Sequence, residues 1–225
     1  MSNDEPEYEA RAAERLIFFS DAVVAIAITL LAIDLPVPSG PNAHALLASA
    51  RQNDGHYAAF LISFLAIAAA WSQHHDVFRY VKRMDSRLRT FNMAWLMMIV
   101  LIPFATKLLT ANGHDSVGAH ALRFGFYALV QVLESATLLA MVHHMISGRL
   151  QEAETPPRIV TDANWQSAGV MLGFGLSIPV FFATNSGWLL WIVIPLLVGQ
   201  LHRRQIRRDL SSSCGTGTRR PVVAA

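Results

Sequence analysis

The sequence predicts an all-α membrane protein with six transmembrane helices per subunit and both termini in the cytoplasm. Three observations carry that fold class. The 225 residues are 53% hydrophobic and only 15% charged, with a mean hydropathy of +0.35, whereas a soluble domain keeps about a quarter of its residues charged. The apolar residues gather into stretches of about twenty, the length that crosses a hydrocarbon core of about 30 Å. The basic residues separate cleanly between the two sets of connecting segments.

The predicted spans run Arg15–Leu35, His56–Tyr80, Leu88–Thr110, Ala119–Ile146, Asn164–Thr184 and Gly187–Leu201. Pro36 and Pro38 end the first, because proline cannot continue a helix that precedes it. Pro103, Pro179 and Pro195 lie inside later spans, where neighbouring helices satisfy the freed carbonyls. In the fifth span Gly169 and Gly173 form a Gly-x-x-x-Gly pair, read as packing within the subunit. The sixth span is short, with Trp188 and Trp191 at one end, suited to a membrane interface. The chain thus divides into a polar N-terminus over residues 1–14, a transmembrane domain over 15–206 and a flexible basic tail over 207–225.

Orientation follows from charge. With both termini inside, fifteen of the eighteen Lys and Arg fall on the cytoplasmic side, and only Arg51, Lys107 and Arg123 on the other. A net charge of +2 distributed in this way indicates a membrane protein and no nucleic-acid partner. The acidic start "MSNDEPEYEARAAER" is unlike a signal peptide, and the single cysteine, Cys214, excludes an internal disulfide.

The first span carries a serine and a carboxylate, Ser20 and Asp21, which bare lipid does not tolerate without partners. At about 100° per residue, Arg15, Phe19, Ala22, Ile26, Thr29, Leu30 and Ile33 share one stripe, and Asp21 lies about 140° from Ile26. Three residues reach the same depth from neighbouring spans: Trp71 and His74 on the second, and Asn92 on the third. His75 stands beside them. An indole, imidazoles and an amide could together satisfy the carboxylate, locking three helices. The bland reading has Asp21 snorkelling while His74 and His75 face headgroups. Adjacent histidines diverge too far to indicate a metal site, and His143 and His144 read as interface residues. Glu134, with Gln131 a turn earlier, reads as a packing residue satisfied inside the subunit; a proton relay is the alternative.

The run "RLIFFSD" fits R-x-x-x-F-S-D and is followed by "AVVAIAITLLAIDLPVP". With "WSQHHDVF" on the second span and "FNMAWLMMIVLIPFATKLL" on the third, it resembles the transmembrane protein 175 family of potassium channels. Ala22 stands where the family shows glycine, and Val24 where it shows phenylalanine. The resemblance implies a potassium-permeable cation channel of the prokaryotic six-helix form, a homotetramer in the cell (inner) membrane with no cofactor and no resident metal. Animal relatives carry two such repeats and assemble as dimers in endosomes and lysosomes.

By position, the resemblance assigns Ile26, Thr29, Leu30 and Ile33 to a pore lined by the first helices. It assigns Arg15, Phe19, Ser20 and Asp21 to packing of that helix, beside Trp71, His74, His75 and Asn92. Thr-Val-Gly-Tyr-Gly is missing from the sequence, so selectivity falls to an apolar constriction with Thr29 its nearest polar group. A proton-conducting or proton-coupled transporter using Asp21, His74 and Glu134 is the alternative. No zinc-protease, nucleophile or phosphate-loop motif points to an enzyme.

Overall fold

The computed structural model describes residues 4–111, 116–183 and 187–215, without the side chains of 4–12, 182–183 and 209–215. Seven α-helices occupy them: α1 Asp4–Ile33, α2 Ala43–Gln52, α3 Asp54–Phe78, α4 Ser86–Leu109, α5 Val117–Ser147, α6 Arg158–Ala183 and α7 Leu190–Gly215. A 3₁₀ turn, Gly187–Leu189, precedes α7. Four helices are long and apolar enough to cross a membrane: α1 from Ala13, α3, α4 and α5. The chain is an all-helical membrane protein.

The two largest boundary differences from the sequence reading lie at α1 and α7, and α6 begins at Arg158, six residues before the predicted Asn164. Helix α1 begins at Asp4, eleven residues before Arg15, because the polar lead-in is rich in Ala, Glu and Arg, all strong helix formers. Helix α7 runs through Arg203–Arg208 to Gly215, so the first nine residues of the predicted flexible tail are helical. Predicted residues Thr184, Arg219 and Arg220 lie outside the described residues, as do the side chains of Arg11 and Cys214. Helix α2 was not anticipated. It is ten residues long, with Asn42 Oδ1 accepting the Ala45 amide at 2.9 Å as its N-cap.

The helices pack in sequence order, α4 on α5, α5 on α6 and α6 on α7, while α1 lies against α3 and α4. On α1 the buried positions are Ala13, Ser20, Val24, Ala27 and Leu31, a single helical stripe. Between α5, α6 and α7 the core is aromatic. Trp191 stacks on Phe124, Tyr127 and Phe174 with ring centroids 4.6, 4.8 and 5.0 Å apart, and its indole donates to Ser177 Oγ at 2.7 Å. In lipid such close contact replaces the hydrophobic drive that water supplies.

The Gly169–Gly173 pair faces α7. A Cβ on Gly173 would stand 3.0 Å from the Leu190 carbonyl and 3.2 Å from Pro195 Cδ, and one on Gly169 would stand 3.3 Å from Pro195 Cα. Pro195 and these glycines let two backbones approach as small-residue interfaces do. Gly173→Ala must therefore push α7 outward. We expect it to destabilise the detergent-solubilised protein by about 1–3 kcal/mol in thermal melting. Gly175→Ala, where a Cβ meets nothing within 4 Å, should be close to silent.

The end of the bundle where α3 and α5 finish is basic and closely tied. Lys82 and Arg83 amides both donate to the Leu150 carbonyl, at 2.8 and 3.0 Å, and the Glu152 amide donates to the Tyr80 carbonyl at 2.9 Å. The α3–α4 and α5–α6 connections are thereby stitched together. Arg149, at φ 53°, closes α5 in the left-handed region, with the Leu150 amide returning to Met145 O and the Arg149 amide to Ile146 O. His144 bonds Asp85 Oδ2 at 2.8 Å. Burial raises the Asp85 carboxyl pKa, but the Leu88 amide and His144 outweigh it and leave it below its ordinary value. His143 bonds Asn164 at 3.1 Å from an exposed position.

Candidate functional site

Helix α1 presents two chemically opposite faces. Phe19, Ile26, Leu30 and Ile33 are exposed, Ile26 at 59% and Ile33 at 75%, and Ala22 and Thr29 are exposed beside them. Thr29 Oγ1 donates to the Ile26 carbonyl at 2.8 Å, which satisfies the hydroxyl hydrogen and leaves the oxygen's lone pairs facing outward. Arg15 is exposed near the polar end of the same helix.

The opposite face is held by two separate sets of bonds. Ser20 is 1% exposed and donates to the Leu16 carbonyl at 2.8 Å. Its oxygen accepts from Asn92 Nδ2 at 3.0 Å, and Asn92 Oδ1 lies 2.7 Å from His74 Nε2. Because the amide nitrogen is committed to Ser20, its oxygen must accept, so the proton sits on Nε2 of His74. The chain of donors runs one way, from α3 through α4 to α1. Asp21 takes a different partner, accepting from Trp71 Nε1 at 2.8 Å on a more exposed flank.

The sequence reading is thus corrected in its wiring. Trp71 and Asp21 meet, and His74 and Asn92 meet, but the second pair serves Ser20 and not the carboxylate. His75 joins neither set: it is exposed, its ring 5.5 Å from Trp71. The physical reason is helical phase. Trp71 and His75 share a flank, whereas His74 points about 100° away from His75, into the core.

His74 reaches further than the sequence suggested. Its ring is sandwiched between Phe78, at 4.0 Å, and Trp95, at 4.2 Å, both nearly parallel to it. Trp95 Nε1 in turn donates to Glu134 Oε1 at 2.6 Å, in a fully buried contact. Glu134 is therefore satisfied inside the subunit. Trp95 was missed, although it lies three residues after Asn92 and so faces the same way. A second buried set, also missed, joins Ser63 to Thr106 at 2.8 Å and to Tyr127 at 2.9 Å, with Gln131 donating to Tyr127 at 3.1 Å.

The arrangement is that of a rigid polar clamp behind a bare apolar stripe. Known proteins of the same build exist. A family profile described as endosomal/lysosomal potassium channel TMEM175 matches residues 15–103, the segment that holds the stripe and the clamp. A potassium channel of Streptomyces collinus is 31% identical over 171 residues, 76% of this chain and 82% of that protein. A potassium channel of Chamaesiphon minutus is 39% identical over 97 residues, 42% of this chain and 48% of its own length. The endosomal/lysosomal proton channel TMEM175 of Bos taurus is 25% identical over 159 residues, 66% of this chain and 32% of that protein. The crystal structure of a lysosomal potassium-selective channel TMEM175 homolog from Chamaesiphon minutus superposes with a TM-score of 0.65. It is 26% identical, with 86% of this chain and 98% of that one covered. At 31% identity over four fifths of a bacterial potassium channel, and with its fold matched over most of its length by a solved TMEM175 homolog, this chain belongs to the TMEM175 family of ion channels.

Proposed function

We propose that the protein is a potassium-permeable cation channel of the cell (inner) membrane, a homotetramer in which four copies of α1 surround a passive conduction pathway. Each subunit spans the membrane six times with both termini in the cytoplasm, α6 and α7 supplying the last two crossings. Ile26, Thr29, Leu30 and Ile33 line the pathway, and their apolar side chains form its constriction. The clamp of Ser20, Asp21, Trp71, His74 and Asn92 fixes the rotation of α1 so that this stripe turns inward.

One observation carries the reading: the exposed, apolar face of α1 lies opposite a face whose polar groups are all engaged by α3 and α4. A lone subunit has no evident pathway, and in the proposed assembly the stripe meets its copies around a shared axis. Potassium sheds water more readily than sodium, and an apolar girdle offers neither ion a replacement ligand. Its preference therefore comes from dehydration, helped by Thr29, and is modest beside that of a carbonyl filter.

Native mass measurement of the detergent-solubilised protein should give four copies of the 24.8 kDa chain, and bilayer recordings should show single-channel steps with a modest potassium preference. A monomer with channel activity, or a many-hundredfold preference, would overturn the proposal. Proton conduction by the same protein is the second reading, supported by the name of the bovine relative and by the buried Glu134. It requires current that follows a pH gradient with potassium held equal on both sides.

A further inference from the structure

At the far end of α1 from the clamp, the helix stops at Ile33 and the next residue is an aspartate. Asp34 Oδ1 accepts from Lys107 Nζ at 2.7 Å, and both side chains remain substantially exposed, at 45% and 66%. Lys107 lies in the last turn of α4, where a cation also complements the helix dipole. Two residues further on, the Pro36 carbonyl accepts the Tyr57 hydroxyl of α3 at 2.6 Å. The end of α1 is therefore held in place, and Asp34 is held with it.

The position matters because Ile33 is the most exposed residue of the apolar stripe and Asp34 follows it directly. Lys107 is one of only three basic residues assigned to this side of the protein. Four carboxylates around one mouth would gather cations from solution; four ammonium groups beside them cancel that field. We propose that Lys107 is a conductance-setting residue, neutralising a ring of Asp34 carboxylates at the outer mouth and so holding down the local potassium concentration. This inference rests on the reading of α1 as the pore helix.

An exposed charge pair acts over a Debye length, about 30 Å at 10 mM salt but about 3 Å at 1 M. That gives the proposal a signature that a merely structural tie between α1 and α4 lacks. Lys107→Gln in the full-length channel, recorded in bilayers at 10 mM symmetric KCl, should raise single-channel conductance by about twofold or more, through local enrichment of the permeant cation. At 1 M KCl it should match the wild type. Asp34→Asn should lower conductance at 10 mM, and the double variant Asp34→Asn/Lys107→Gln should return it to the wild-type value.

If Lys107→Gln fails to assemble, Asp34→Asn and the double variant carry the same test. Conductance that does not depend on these charges at 10 mM, or that changes equally at both salt concentrations, overturns the proposal. Ile26→Asn separates the two levels. If it alters ion selectivity while the charge variants are silent, only the Asp34–Lys107 inference falls. If all are silent, the pore reading falls with it.

Discussion

Ile26→Asn should raise sodium permeability relative to potassium by about threefold to tenfold, a change that about 0.6–1.4 kcal/mol of differential barrier produces. Ile26 is more than half exposed in the subunit, midway along a stripe that runs from Phe19 to Ile33. In the proposed tetramer four amide oxygens would then stand where only methyl groups stood. Sodium, the ion that holds its water more tightly, gains more from a replacement ligand than potassium does. Reversal potentials under bi-ionic conditions measure the shift directly. Leu65→Asn, on an exposed face of α3, serves as the control for an added polar group in the membrane. If both variants keep wild-type selectivity and conductance, Ile26 does not sit at the narrow point.

Asn92→Ala should be among the most destabilising single changes in the clamp, costing about 2–4 kcal/mol. The amide serves two buried groups at once: it accepts from His74 Nε2 and donates to Ser20 Oγ. Without it, His74, whose Nδ1 has no hydrogen-bond partner among the described residues, is left with neither ring nitrogen paired in a fully buried site. Each unsatisfied group costs about 1–3 kcal/mol. Trp71→Phe removes one half-exposed bond to Asp21 and should cost under about 1 kcal/mol. Thermal unfolding of the two variants in detergent, with the yield of assembled protein by size exclusion, gives the ranking. A larger loss for Trp71→Phe would place the weight of the clamp on the carboxylate instead.

That ranking could not be read from the sequence. Depth matching placed Trp71, His74 and Asn92 at the level of Asp21, because rise per residue is fixed by the helix. What it left open was rotation. A residue at the right height on α3 can face α1, the core or lipid, and only packing against α4 decides which. The charged residue therefore drew attention first, although the neutral Ser20 is the more deeply buried of the pair. Trp95 escaped for a related reason: an indole in an apolar helix passes for packing unless its N–H has a visible partner, and Glu134 is thirty-nine residues away. Gly169 and Gly173 were legible because a repeat of small residues limits which helix face can approach another. Helix α2 was not, because ten residues between two spans contain too few turns for apolar periodicity to stand out.

The stitching between the Tyr80–Arg83 and Leu150–Glu152 backbones makes one plate of the basic ends of α3, α4, α5 and α6. Among the described residues, helix α1 packs mainly against α3 and α4. If four copies of α1 surround the pathway as proposed, a change in its bore needs α1 to shift against this stiff frame at its bonds to α3 and α4, with no repacking of the frame itself.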